Sequence, residues 1–340
     1  MVRHHPQYPA CFITLSKLKI NAKVNVMSNT EKQPYTEEFV SINGIDQYLM
    51  HSSVNNKNQI MLFVHGGPGA PSSIFAYAFQ NGWENIYTVV HWDQRGSGKT
   101  LIRNPHTLPT FEQLLDDLVG VVAYLKKKYA TDKVVILGHS WGTVLATEFV
   151  MKHPEDVDYY IAVSQVVNKI ENERIGYEKV KELVEKANDK KAMKKLVAIG
   201  NYPGEALGED WLKKNVIVNN LKVKYGLSTK PRLATLFKSP IFGFSDFKAL
   251  IKGSTASKKL INYLAMVNFS IQPAIYKVPV YYIFGENDWQ TPLSGARKYF
   301  DSIKAPDKRI FTIPYAGHMP MFDQPSLFFD VLETIHNERH

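Results

Sequence analysis

The sequence predicts an α/β fold: a mostly parallel central sheet with helices on both faces and a helical cap inserted between two of its strands. Three observations carry that prediction. Strand-like and helix-like patterns alternate from Glu38 to Ser164, the alternation stops between residues 165 and 275, and it resumes at Val278. Such alternation builds parallel strands joined by crossover helices.

Taken in order, residues 1–37 read as an N-terminal extension, expected to be poorly ordered. Its apolar patch, Ala10–Leu15, is too short for a signal-peptide core. Phe39–Ile42 and Ile45–His51 predict an entry hairpin turning at Asn43-Gly44, a dipeptide that accepts the positive φ of a tight turn. Ile60–His65, Tyr87–Trp92, Val134–Leu137 and Tyr159–Val163 are short apolar runs of strand length. Between them, Phe111–Lys128 carries Leu114, Leu115, Leu118, Val121, Val122 and Leu125 as a helical stripe. Within 165–275, helices are expected at about Glu171–Ala187, Trp211–Val223 and Asp246–Val267, and together they read as the cap. A strand at Val278–Phe284, a helix near Ser294–Ile303, a strand at Arg309–Ile313 and a helix at Ser326–Asn337 complete the chain. The core is therefore assigned to 38–164 and 276–340.

A chain of 340 residues, 44% hydrophobic, can bury a full core. No apolar run approaches the ~18 residues that cross a bilayer, so no membrane insertion is expected. The single cysteine, Cys11, excludes a disulfide framework and points to a reducing, cytoplasmic compartment. The net charge of +9 is uneven: residues 165–275 hold 20 Lys and Arg against 10 Asp and Glu, leaving 21 against 22 elsewhere. A basic insertion can attract anionic substrates, membranes or nucleic acid. No basic stripe interleaved with aromatics is present, so the lysines read as solvated helix faces and no nucleic-acid partner is expected.

The chemistry concentrates at Gly138-His139-Ser140-Trp141-Gly142, between a predicted strand and a predicted helix. A serine between two glycines at such a turn is a nucleophile elbow, in which the glycines make room for a strained backbone that exposes the hydroxyl. Ser140 then needs a base, and the base an acid that holds its tautomer. In this sheet type both come on loops after later strands, in the order nucleophile, acid, base. Asp288, after the resumed strand, is the acid candidate, with Glu286 as fallback; His318, after the last strand, is the base candidate. The oxyanion of a tetrahedral intermediate needs backbone donors, for which Trp141 N–H and Gly67 N–H are the candidates. His65 and Gly66 read as supporting residues of that loop. Asp93 and Arg95, in Trp92-Asp93-Gln94-Arg95-Gly96-Ser97-Gly98, could bind phosphate; an ion pair bracing the loop is the reading adopted. No Walker lysine and no metal-ligand spacing occur, so no cofactor and no metal are implied.

Together, His65-Gly66-Gly67-Pro68-Gly69, the Trp92–Gly98 segment and Gly138–Gly142 resemble the α/β-hydrolase superfamily. More narrowly, they are similar to the proline iminopeptidase (prolyl aminopeptidase) family, from about Glu38 onward. The resemblance implies an α/β-hydrolase fold and release of an amino-terminal proline, or another small or apolar residue, through an acyl-enzyme on Ser140. The substrate would be a small molecule or a short peptide. That family binds the substrate amine with cap carboxylates in tryptophan-glutamate and glutamate-asparagine-histidine settings. Here the cap acids Glu205, Glu209 and Asp210 lack those settings. Three readings follow: an aminopeptidase, a carboxylesterase or other acyl hydrolase with the same residues, and a binding protein that kept the fold without turnover.

Overall fold

The computed structural model describes residues 13–14, 35–55, 57–204, 209–228, 233–271 and 274–339. Cys11 and Glu205 lie outside the described residues. The strands are β1 (Ile13–Thr14), β2 (Tyr35–Ile42), β3 (Ile45–Ser52), β4 (Gln59–Val64), β5 (Tyr87–Asp93), β6 (Val134–His139), β7 (Val157–Val163), β8 (Val280–Gly285) and β9 (Lys308–Ile313). They form one sheet in the order β1-β9-β8-β7-β6-β4-β5-β3-β2. Only β2 with β3 and β3 with β5 pair antiparallel; the other ladders are parallel. The β2–β3 turn places Asn43 and Gly44 at φ 49° and 79°. β2 begins at Tyr35, four residues before the expected Phe39, and Ile13–Thr14 of the extension pairs with Phe311–Thr312.

The central strands are apolar throughout because both faces of the sheet are covered. Along β6, Val134 and Ile136 enter one core and Val135 and Leu137 the other; β8 does the same with Val280, Tyr282 and Phe284 against Tyr281 and Ile283. The helices in the core are α1 (Gly98–Arg103), α2 (Phe111–Tyr129) and α3 (Trp141–Lys152) before the cap. On one face, α2 and α3 contribute Leu114, Leu118, Val121, Val144, Leu145 and Phe149. A capping box starts α2: Gln113 N–H donates to Thr110 Oγ1, and Thr110 N–H donates to Gln113 Oε1.

Between β7 and β8 run α4 (Lys169–Lys186), α5 (Lys190–Ile199), α6 (Glu209–Lys224), α7 (Leu233–Phe237), α8 (Phe244–Ala256) and α9 (Lys258–Met266). They have an apolar cluster of their own, with Tyr177, Val180, Val184, Leu196, Trp211, Val218 and Leu221. The sequence reading missed α5 and α7, and it fused α8 with α9, which break at the buried Ser257. After β8 come α10 (Leu293–Ser302), α11 (Pro320–Asp323) and α12 (Pro325–Arg339). Phe328, Val331, Leu332 and Ile335 of α12 join the core of the second face. Among the described residues, no helix is long and apolar enough to cross a membrane.

The chain steps from β4 outward to β5, then returns to set β6 on the other side of β4. At such a switch the loops leaving neighbouring strands diverge and open a crevice at the carboxyl edge of the sheet. The His65–Gly69 loop leaves β4 there, and Ser140 leaves β6 beside it.

Candidate active site

Ser140 joins β6 to α3 with φ 52° and ψ −118°, a conformation that costs a non-glycine residue on the order of 1–3 kcal/mol. Its neighbours explain how the fold tolerates it. A methyl group on Gly142 would stand 2.0 Å from the Val64 carbonyl oxygen, and one on Gly138 would stand 2.9 Å from the Gly142 carbonyl oxygen. The turn is thus clamped between β4 and α3. A methyl on Gly66 would meet Ser140 Cβ at 3.3 Å, so the loop after β4 runs alongside the serine.

Three side chains distant in sequence meet here. Ser140 Oγ lies 2.9 Å from His318 Nε2, and His318 Nδ1 lies 3.1 and 3.0 Å from the two carboxylate oxygens of Asp288. Asp288 is buried. Burial pushes its carboxyl up, but the adjoining His318 and the donors around it outweigh this and hold it below the ordinary carboxylate range. The carboxylate accepts from the N–H groups of Gln290 and Thr291 at 2.9 Å and from the Thr291 hydroxyl at 2.8 Å, and the Thr291 N–H and the Ser164 hydroxyl help to hold it down. With the carboxylate ionised, the imidazole proton sits on Nδ1, leaving Nε2 to accept from the Ser140 hydroxyl. Glu286, the fallback acid, instead accepts from Tyr315 N–H at 3.2 Å.

The histidine loop is fixed at its carbonyl. His139 Nε2–H donates to His318 O at 2.9 Å, and the Ser164 hydroxyl donates to the same oxygen at 3.1 Å. Burial pushes His139 down to about 3, so it is a neutral donor. Thr291, Ser164 and His139 were not singled out in the sequence. An Asp-x-x-Thr spacing, in which the aspartate caps its own turn, would have drawn attention to Thr291.

Of the two candidate oxyanion donors, Trp141 is the first residue of α3, so its N–H has no intrahelical acceptor. Its indole N–H donates to Gln94 Oε1 at 3.1 Å, while Gln94 Nε2 donates to His65 O at 2.9 Å. Gln94 thereby ties the loops after β4 and β5 to the elbow. Gly67, at φ 120°, lies in the same loop as Gly66. His65 is fully buried: its Nδ1–H donates to Gly66 O at 2.7 Å and its Nε2 accepts from Gln94 N–H at 3.2 Å. Burial pushes it down to about 4, which suits a neutral scaffold residue.

Asp93 and Arg95 do not form the ion pair expected of them. Arg95 instead makes a bidentate contact with Asp117 of α2, Nε to Oδ2 at 2.7 Å and an amino group to Oδ1 at 2.9 Å. The same amino group donates to Asn43 O in the entry hairpin. Residues two apart share a face only while the strand lasts, and β5 ends at Asp93, so Arg95 in the following turn is free to face α2 while Asp93 faces Ser73 and Lys99. Asp93 accepts from the Ser73 hydroxyl at 2.6 Å and Lys99 N–H at 2.8 Å, and burial pushes its carboxyl up to about 7.

One buried acid of the cap is Glu173 of α4, which the sequence reading did not single out. It is paired with Lys169 and, at 3.5 Å, with the buried Lys222 of α6, and it accepts from the Tyr202 hydroxyl at 2.8 Å and Asn215 at 3.2 Å. Burial raises its carboxyl, but the two lysines prevail and bring it down to about 2.

Residues 55–325 match the family model described as serine aminopeptidase, S33. A probable aminopeptidase of Bacillus subtilis, YbaC, is 32% identical over 314 residues, which span 88% of this chain and 96% of that protein. The proline iminopeptidase of Neisseria gonorrhoeae is 29% identical over 126 residues, only 37% of this chain and 39% of that protein. The crystal structure of proline iminopeptidase from Mycobacterium smegmatis superposes with a TM-score of 0.62 at 18% identity, over 89% of this chain and 98% of that one, a likeness of fold.

Proposed function

We propose that this chain, which belongs to the S33 serine aminopeptidase family of α/β hydrolases, is a serine hydrolase that removes amino-terminal residues from short peptides. The observation that carries this reading is the continuous contact from Ser140 Oγ through the His318 imidazole to Asp288. In this mechanism Ser140 Oγ attacks the scissile carbonyl while His318 Nε2 takes its proton. Asp288 holds the imidazolium that forms, and the N–H groups of Trp141 and Gly67 take the negative oxygen. The tetrahedral intermediate collapses, its C–N bond breaks, and the amine leaves with the proton from Nε2. Water then attacks the Ser140 ester, its proton passing to His318, and the free acid departs as that proton returns to Ser140 Oγ.

One observation favours a second reading, an ester-directed acyl hydrolase using the same residues. A substrate ammonium needs an anionic partner when desolvated, at a cost of several kcal/mol without one. Of the buried carboxylates of the cap's described residues, Glu173 is already shared by two lysines and Asp246 is turned to the Gly243 N–H. The experiment that separates the readings compares aminoacyl p-nitroanilides, proline included, with short p-nitrophenyl esters. Anilide release supports the aminopeptidase; ester turnover with no anilide release overturns it in favour of the acyl hydrolase. A fluorophosphonate probe tests the shared premise, because a protein that only binds would leave Ser140 unlabelled.

A further inference from the structure

The outer face of α8 carries apolar side chains where a cap helix would ordinarily meet water with polar ones. Asp246, Ala249 and Gly253 turn inward and are buried, whereas Phe244 is 86% exposed, Ile251 62% and Phe247 41%. The spacing 244, 247, 251 sets these three on one stripe opposite the buried face. Phe242 and Phe237 extend it, with ring centroids 6.0 Å from Phe242 to Phe244 and 5.3 Å from Phe237 to Phe242. Exposed lysines flank the patch: Lys238 follows Phe237, and Lys248 and Lys252 lie along one edge of the stripe.

Charge selects the occupant. From residue 211 to residue 285 the only acidic residue is Asp246. It is buried and accepts from Gly243 N–H at 2.7 Å, so the chain from 211 to 285 brings no exposed acidic side chain to this face, and Glu37, which acts on Asp246 from the core, is paired with Lys99. A second copy of the chain docked through the same face would set lysine against lysine. An anionic bilayer offers a complement to both features at once, an apolar layer for the rings and phosphates for the lysines. The opposite face of α8 abuts the loop that holds Gly67, since a methyl on Gly69 would stand 2.4 Å from the Gly253 carbonyl oxygen.

We propose that α8, with Phe237 and Phe242 beside it, is a peripheral docking face for anionic lipid surfaces. The rings enter the interfacial layer and the lysines contact headgroups. No spanning helix is needed.

Cosedimentation of the full chain with lipid vesicles tests this, comparing pure phosphatidylcholine with the same lipid carrying about one-third phosphatidylglycerol. Binding is expected only to the anionic vesicles, and it is expected to fall steeply towards about 0.5 M salt. Replacing Phe244, Phe247 and Ile251 together by serine weakens it by at least about tenfold, and Lys248→Glu with Lys252→Glu weakens it by about 25-fold or more, near fivefold or more per lysine. These side chains are exposed, so an unchanged thermal midpoint certifies that the variants fold. Absence of binding to the anionic vesicles, or binding that survives the triple substitution, overturns the proposal. Light scattering covers the alternative: self-association abolished by the triple substitution, with no vesicle binding, assigns the face to a second copy instead.

Discussion

At the scale of single residues, the site rests on groups that position others. The Thr291 hydroxyl donates to Asp288 Oδ2 and lies 3.3 Å from His318 Nδ1, so it fixes the carboxylate against the imidazole. A hydrogen bond to a charged group is worth roughly 1.5–3 kcal/mol, or about tenfold or more in rate when it acts on the transition state. Thr291→Val is therefore expected to lower kcat by at least about tenfold with little change in KM. A pure rise in KM would show that Thr291 serves the substrate and not the acid. Asp288→Asn acts one step closer to the chemistry. An amide in place of the carboxylate presents the wrong tautomer of His318 to Ser140, and kcat should fall by about 10⁴ while the fold persists. Glu286 offers no rescue, being turned towards Tyr315.

At the scale of elements, the clamp on the elbow and the brace on the next loop make separate predictions. A methyl at Gly142 has nowhere to go except into the backbone of β4, because it meets a carbonyl at 2.0 Å. Gly142→Ala should cost about 3 kcal/mol or more, read as a lowered urea midpoint or as loss of soluble protein. The Arg95–Asp117 pair is buried and bidentate, and it joins the loop after β5 to α2. Removing one partner leaves an uncompensated charge, so Arg95→Met should destabilise by roughly 3–5 kcal/mol. Adding Asp117→Leu should recover part of that loss; a double variant no better than the single would show that the guanidinium's bond to Asn43 matters more. These two features also mark how far the sequence could be read. The glycine-flanked serine, the Asn43-Gly44 turn and the doubly buried strands announce themselves locally, because each is a rule about neighbours. The partner of Arg95 was not legible, since Asp117 sits 22 residues away on a helix face where an aspartate ordinarily meets water. Glu173 and Lys222 escaped for the same reason: charges in lysine-rich helices read as solvated until packing of α4 on α6 buries them. The boundary between α8 and α9 was hidden because Ala256-Ser257-Lys258 carries neither proline nor glycine to mark it.

At the scale of the whole molecule, burial of ionisable groups sets how stability responds to acid. Burial pushes His65 down to about 4 and His91 and His139 down to about 3, so the fold holds all three neutral while the unfolded chain protonates them below about pH 6.5. Each contributes stability that is present above pH 6.5 and is lost as pH falls towards its folded value, at about 1.4 kcal/mol per pH unit. Asp93 acts in the opposite sense. Its carboxyl, pushed up to about 7, keeps a proton in the fold that the unfolded chain releases near pH 4, so its contribution is lost as pH rises through 7. Between about pH 5.5 and 6.5 these three histidines, partly protonated in the unfolded chain, oppose one carboxyl, a net of roughly 1.4 protons taken up on unfolding. Stability should therefore fall by roughly 2 kcal/mol per pH unit on acidification through this window, measured as urea midpoints in matched salt. The two signs can be separated. His91 donates from Nε2–H to the buried Gln80 side chain, and His91→Gln removes one acid-sensitive group, so the slope should flatten by about half. Asp93→Asn removes the opposing group and should steepen it by a similar amount. Midpoints independent of pH across the window, or slopes that move the other way in these variants, would mean that the buried histidines are protonated in the fold.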